Sequence, residues 1–118
     1  MAKEKATLTW KGVDYTLVFN LNVMEQIQEE YGSISAWGDL TDNEKEPNAK
    51  AVIYGLTCMI NEGIDIDNED NEGKAGYTPK KLLTTKQVGR LLTDVGMDEA
   101  TQRLNDTVIN SVKSDEKN

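Results

Sequence analysis

Pro47-Asn48-Ala49-Lys50-Ala51-Val52-Ile53-Tyr54-Gly55-Leu56-Thr57-Cys58-Met59-Ile60 is the stretch that decides the fold. No charge occurs between Ala51 and Ile60. On a helical wheel Val52, Leu56, Met59 and Ile60 share one arc, and Ala51, Tyr54 and Cys58 fill much of the rest. A helix apolar on most sides must be covered on most sides. This one is too short to span a bilayer, which takes about 20 apolar residues. The stretch therefore predicts a buried central helix on which the other elements pack. Pro47 opens it, with Asn48 or a neighbour as the cap. Asn61-Glu62-Gly63 is expected to close it.

Upstream, Ala6 to Phe19 alternates as a β-hairpin does. With Lys11-Gly12 as a two-residue turn, Trp10 faces Val13, Leu8 faces Tyr15 and Ala6 faces Leu17. Leu8, Trp10, Val13, Tyr15, Leu17 and Phe19 then share one face, and Thr7, Thr9, Lys11, Asp14 and Thr16 the other. A slip of one residue would destroy that segregation, so turn and pattern fix one register. A lone hairpin is only marginally stable, so its apolar face needs helices. Asn20 is a good N-cap for a first helix striped by Leu21, Met24, Ile27 and Tyr31, with Gly32 just past its end. Glu29 and Glu30 in its last turn run against the helix dipole. Ser33 to Leu40 reads as a short helical turn carrying Ile34, Trp37 and Leu40 inward. Thr41 to Glu46 is a polar connection.

Downstream, Asp65 to Gly76 holds little but Asp, Asn, Glu and Gly. It is expected to be a mobile surface excursion, after which Tyr77-Thr78-Pro79 begins the return. Thr84-Thr85-Lys86-Gln87 is a capping box. It starts a helix striped by Val88, Leu91, Leu92 and Val95 and stopped by Gly96. Gly89 weakens that helix by about 1 kcal/mol relative to Ala, and close approach of another backbone would account for it. A last helix starts at Asp98, with Leu104, Val108 and Val112 inward and Ala100 and Ile109 beside them. The expected fold is α+β: one domain over 1–112, an N-terminal hairpin packed on a bundle of about four helices, with 113–118 a disordered tail.

The totals narrow function more by exclusion. The chain has 118 residues and a net charge of −8, with a pI near 4.5. Direct nucleic-acid binding needs clustered Lys and Arg and is not expected. Acidity favours solubility, or a basic partner. A single cysteine, Cys58, leaves no intrachain disulfide. Met1-Ala2-Lys3-Glu4-Lys5 is charged and no apolar leader core follows, so a cytoplasmic protein without membrane association is expected. The absence of histidine removes the commonest general base and the usual zinc ligand. Asp65, Asp67, Glu69 and Asp70 resemble the start of a calcium loop. Counted from Asp65, however, the sixth and twelfth positions hold Asp70 and Gly76, and counted from Asp67 they hold Glu72 and Thr78. Neither register supplies the needed Gly and Glu. Gly73-Lys74-Ala75-Gly76 lacks P-loop spacing. Glu29 and Glu30 read as solvated surface. No metal, cofactor or catalytic residue is expected. Trp10 fits the hairpin core. Trp37 and Tyr77 each leave two roles open, core residue or partner-binding anchor. Trp37, Leu40 and Tyr77 are the candidate partner-binding residues.

The order from hairpin to last helix, with Asn61-Glu62-Gly63 closing the apolar helix and Leu83-Thr84-Thr85-Lys86-Gln87-Val88-Gly89-Arg90-Leu91-Leu92 after the acidic insertion, resembles the tail assembly chaperones of long-tailed phages and prophages of Gram-positive bacteria. The likeness covers roughly Ala6 to Val112. It rests on patterns, since that family has no active-site motif. The resemblance implies a small non-enzymatic protein of the host cytoplasm, absent from the mature virion. It implies binding to the tape measure protein, help for the tail tube protein as it polymerises, and weak self-association. It also implies that this chain is the short form of a pair made by frameshifting. Such a coat would need an apolar groove between helices to shield a tape measure segment. A reading from another class is an acidic decoy that occupies the basic surface of a DNA-binding regulator or nuclease, which the charge of −8 favours.

Overall fold

A computed structural model describes residues 6–42 and 46–116, with the backbone alone from 112 onward. Its fold is α+β. The elements, in order, are β1 (Thr7–Trp10), β2 (Val13–Thr16), α1 (Leu21–Tyr31), α2 (Ile34–Leu40), α3 (Ala49–Asp70), α4 (Thr85–Val95) and α5 (Met97–Glu116). The strands pair antiparallel, with Leu8 opposite Tyr15 and Trp10 opposite Val13. Ala6 C=O accepts from Leu17 N–H at 2.9 Å. This is the register expected from the sequence. Lys11 and Gly12 both take positive φ, 53° and 78°, as a turn between right-twisted strands requires.

α3 is the centre. Packed against it are α1, α2, α4, α5 and β2. Ala51, Val52, Leu56, Met59 and Ile60 are all fully buried. The caps at Asn20 and Thr84 are those expected, and Asn48 itself caps α3. Asn48 accepts from Ala51 N–H, Asn20 from Val23 N–H, and Thr84 with Gln87 closes a complete capping box. On α4, Val88, Leu91 and Leu92 are buried, and on α5, Ala100 and Leu104.

α3 does not stop at Asn61-Glu62-Gly63. It runs on to Asp70, 22 residues in all. Each residue of the expected stop is instead a contact point. Asn61 exchanges two hydrogen bonds with Leu83, donating to its C=O at 2.9 Å and accepting from its N–H at 2.8 Å. Glu62 accepts from Asn20 and Asn22 at 2.8 and 3.1 Å. Gly63 lies against the hairpin, where a Cβ would sit 2.5 Å from the Thr16 carbonyl oxygen. One residue on, Ile64 is buried again.

The expected mobile excursion is corrected by the same helix, since 65–70 form its last turns. The return is fastened to it. Asn68 donates to Lys80 C=O and accepts from Lys80 N–H, both at 3.0 Å. Asn61 and Asn68, seven residues apart, thus pair with an extended segment as a neighbouring strand would. Only 71–76 remains as a turn between the two.

Further differences are local. Leu21 is 79% exposed and Val23 fully buried, so the inward face of α1 is Val23 and Ile27 with Met24 and Tyr31 half-buried beside them. The same rotation brings Asn20 and Asn22 to Glu62. Val13, at the turn, and Leu40 are each 38% exposed, and Ile109 is exposed too. Tyr15 and Val108 are half-buried. α5 begins at Met97 and its backbone stays helical to Glu116, where disorder was expected from 113. Residues 97–116 contain neither Gly nor Pro to stop it. The side chain of Val112 and all of 117–118 lie outside the described residues.

α2 is anchored chiefly by Trp37, with Ile34 packed beside it. Trp37 is 1% exposed. Its indole Nε1–H donates to the Ala51 carbonyl at 3.0 Å, and its ring stacks on Phe19 with centroids 6.3 Å apart and planes 9° apart. The ring lies on Gly55, where a Cβ would overlap the indole. Gly55→Ala is therefore expected to displace a buried ring and cost about 1–3 kcal/mol, read as a lower urea midpoint with altered near-ultraviolet circular dichroism. An unchanged midpoint would show that the indole has room to move.

Candidate functional site

α3 presents Lys50, Ile53 and Tyr54 on one face, by the spacing of a single helical turn. α4 presents Thr85, Lys86 and Gly89 opposite. Between them lies an open groove of about 560 Å³. Its floor is apolar, and a lysine from each helix stands at its rim. Gly89 was expected to admit another backbone. No backbone comes near it. A Cβ there would meet only Ile53 Cδ1, at an ordinary contact distance of 3.7 Å. The missing side chain leaves the groove open instead.

Tyr54 forms one wall and is fixed from behind. Its hydroxyl donates to Gln26 C=O at 3.2 Å, and its ring meets Tyr31 edge-on at 5.7 Å. Burial first, and then Cys58, Glu30 and Glu29 nearby, push its hydroxyl up to about 12. Burial pushes the Cys58 thiol up as well, although Tyr54 partly offsets this by hydrogen bonding. A thiol so placed is a poor nucleophile at neutral pH. Among the described residues, Tyr31 O–H is buried and finds no hydrogen-bond partner. Lys50 pairs with Glu30 at 3.7 Å, in an exposed setting where such pairs contribute little.

A second crevice, about 530 Å³, opens between β2 and the later turns of α3. Tyr15, Val18 and Ile66 line it with Asp14, Asp67 and Asp70. Lys80 also lines it and is paired to Asp67 at 3.4 Å. Among the described residues no cluster of His, Cys, Asp or Glu could hold a metal ion, and no helix is long and apolar enough to cross a membrane.

The three anchor candidates do not form one surface. Trp37 is in the core. Leu40, one turn on, borders a crevice with Pro47 and Asn48. Tyr77 is bonded through its hydroxyl to Asn68 near the far end of α3. Ala51, under Trp37, and Asp67, beside Tyr77, are about 24 Å apart along that helix. The groove residues escaped the sequence reading, although a signal for them existed. Residues 73–93 hold Lys74, Lys80, Lys81, Lys86 and Arg90 and no Asp or Glu. Five of the thirteen cations thus lie in one band, and all twenty-one acids lie outside it.

Comparison with protein-family models, with curated proteins and with solved structures yields no match.

Two outcomes follow from this geometry. Gly89→Ala is expected to stabilise the protein by about 0.5–1 kcal/mol, because it raises helix propensity and meets no obstacle; a lower urea midpoint would mean the groove is tighter than described. Between the ordinary tyrosine value of 10.0 and about 12, folded Tyr54 keeps a proton that the unfolded chain has lost. Stability should therefore fall as pH rises through that window. Tyr54→Phe should flatten the fall, measured by urea denaturation on either side of it.

Proposed function

We propose that this chain is a non-enzymatic tail assembly chaperone. It binds a helical segment of a phage tape measure protein in the bacterial cytoplasm, assists polymerisation of tail tube subunits around it, and is left out of the finished virion. The observation that carries this reading is the groove between α3 and α4. A helix-binding protein needs a solvent-open apolar cleft between rigid elements, and this one lies beside the best-buried helix of the fold. The element order on which the family resemblance rests adds to it. Trp37 does not serve as the anchor, since its exposure would dismantle α2.

The acid-lined crevice between β2 and α3 is the observation that favours the second reading, the decoy for a basic DNA-binding protein. Co-expression separates the two. The full chain is expected to co-purify with overlapping tape measure segments from the same genome, with Kd of about 1 μM or tighter. Failure to bind any segment, together with salt-sensitive capture of a basic DNA-binding protein, would replace the chaperone by the decoy.

A further inference from the structure

We infer that the groove between α3 and α4 takes an acidic amphipathic helix, seating an apolar side chain over Gly89 against Ile53 and Tyr54 while flanking carboxylates meet Lys50 and Lys86. The inference deepens the chaperone reading and rests on it for the partner being helical. It adds which chemistry the partner presents and where.

Shape comes first. Lys50 to Tyr54 and Thr85 to Gly89 are each about one helical turn, so the groove accommodates the side chains of one or two turns of a third helix. The open space over Gly89 is where a side chain from outside can enter. Packing inside this protein does not require glycine there, since the nearest atom to a Cβ would be Ile53 Cδ1 at 3.7 Å. Gly55 and Gly63, by contrast, are pressed by an indole and a backbone carbonyl. Gly89 is the helical glycine whose vacant volume faces the groove.

Charge selects the occupant. The remainder of the chain carries eight cations against all twenty-one acids, while 73–93 carries five cations and no acid. Of these five, Lys86 and Arg90 lie on α4, and Lys86 stands at the groove itself, so an acidic helix repelled by most of the surface is attracted there. Lys50 extends the positive rim onto α3. Its exposed partner Glu30 competes for it at 3.7 Å, a contact weak enough to be exchanged for a carboxylate from the partner. A basic helix would meet Lys50 and Lys86 at the rim and be disfavoured there, although Glu29 and Glu30 stand on the Tyr54 side.

The test uses the full chain, labelled with nitrogen-15. The probe is a helical peptide of roughly eighteen residues with a leucine stripe flanked by glutamates, and its control carries lysines in place of the glutamates. The glutamate peptide is expected to bind about tenfold or more tightly at low salt, with the gap narrowing as salt rises. Amide shifts should centre on Ile53, Tyr54 and Gly89. Lys50→Glu with Lys86→Glu should reverse the preference. Gly89→Met should weaken the glutamate peptide about tenfold without lowering the melting temperature, which separates a blocked groove from an unfolded one. Equal binding of the two peptides, shifts centred elsewhere, or indifference to Gly89→Met would overturn the inference. So would self-association abolished by Lys86→Glu, since the groove would then belong to a second copy. A tape measure segment that binds wild type and the charge-reversed variant equally would overturn this site and leave the chaperone reading intact. Binding of the glutamate peptide by a chain that captures no tape measure segment would support the groove and remove that reading.

Discussion

The fold depends on one indole laid across one glycine. Trp37 bonds the Ala51 carbonyl at 3.0 Å, stacks on Phe19 and covers Gly55. Three elements meet there: α2, the strand-to-helix connection, and the start of α3. Burying an aromatic ring of this size removes 150–250 Å² from water, worth about 4–6 kcal/mol. α2 has only seven residues and no other large side chain so deeply buried. Without Trp37 it would have little to hold it, because a helix this short is not stable by itself. The requirement runs both ways, since any side chain at position 55 would occupy the space of the ring.

That constraint explains what was legible and what was not. The register of the hairpin could be read because turn chemistry and alternation are local and agree. The caps at Asn20, Asn48 and Thr84 are equally local. The length of α3 was not legible, because Asn61-Glu62-Gly63 carries the residues of a helix end. Its role is set by partners 22 to 47 positions away in the chain, including Leu83, Asn20 and Thr16. A glycine that admits a crossing strand and a glycine that ends a helix are the same letter. The tilt of α1 escaped for a similar reason. The stripes through Leu21 and through Val23 both fit the helical period, and packing on α3 and α2, which buries Val23 and Ile27, decides between them.

The candidate site was hidden differently. Trp37 and Tyr77 drew attention because aromatic residues dominate interfaces, yet each is held by the protein's own structure. Ile53, Tyr54 and Gly89 looked like ordinary helix residues. Their juxtaposition arises only when α4 packs on α3, a contact between residues more than thirty positions apart. The cationic band from Lys74 to Arg90 was visible in the sequence. A net charge of −8 concealed it, because a total says nothing about segregation.

Of the four glycines inside the described helices, the three on α3 and α4 differ in their physics. Each lowers local helix stability by about 1 kcal/mol relative to Ala. At positions 55 and 63 packing returns more than that: a seated indole in one case, and a strand brought against the helix backbone in the other. At position 89 no such return exists within the chain, and the loss stands uncompensated in the isolated protein. A cost of that kind is expected where a surface must fit something else. Compensation then has to come from contacts made on binding, when an apolar side chain fills the gap and loses its water. The helix with the most buried residues and a helix surface left open at Gly89 therefore face each other across the groove, a rigid wall opposite an open one, as preorganised binding of a helix requires.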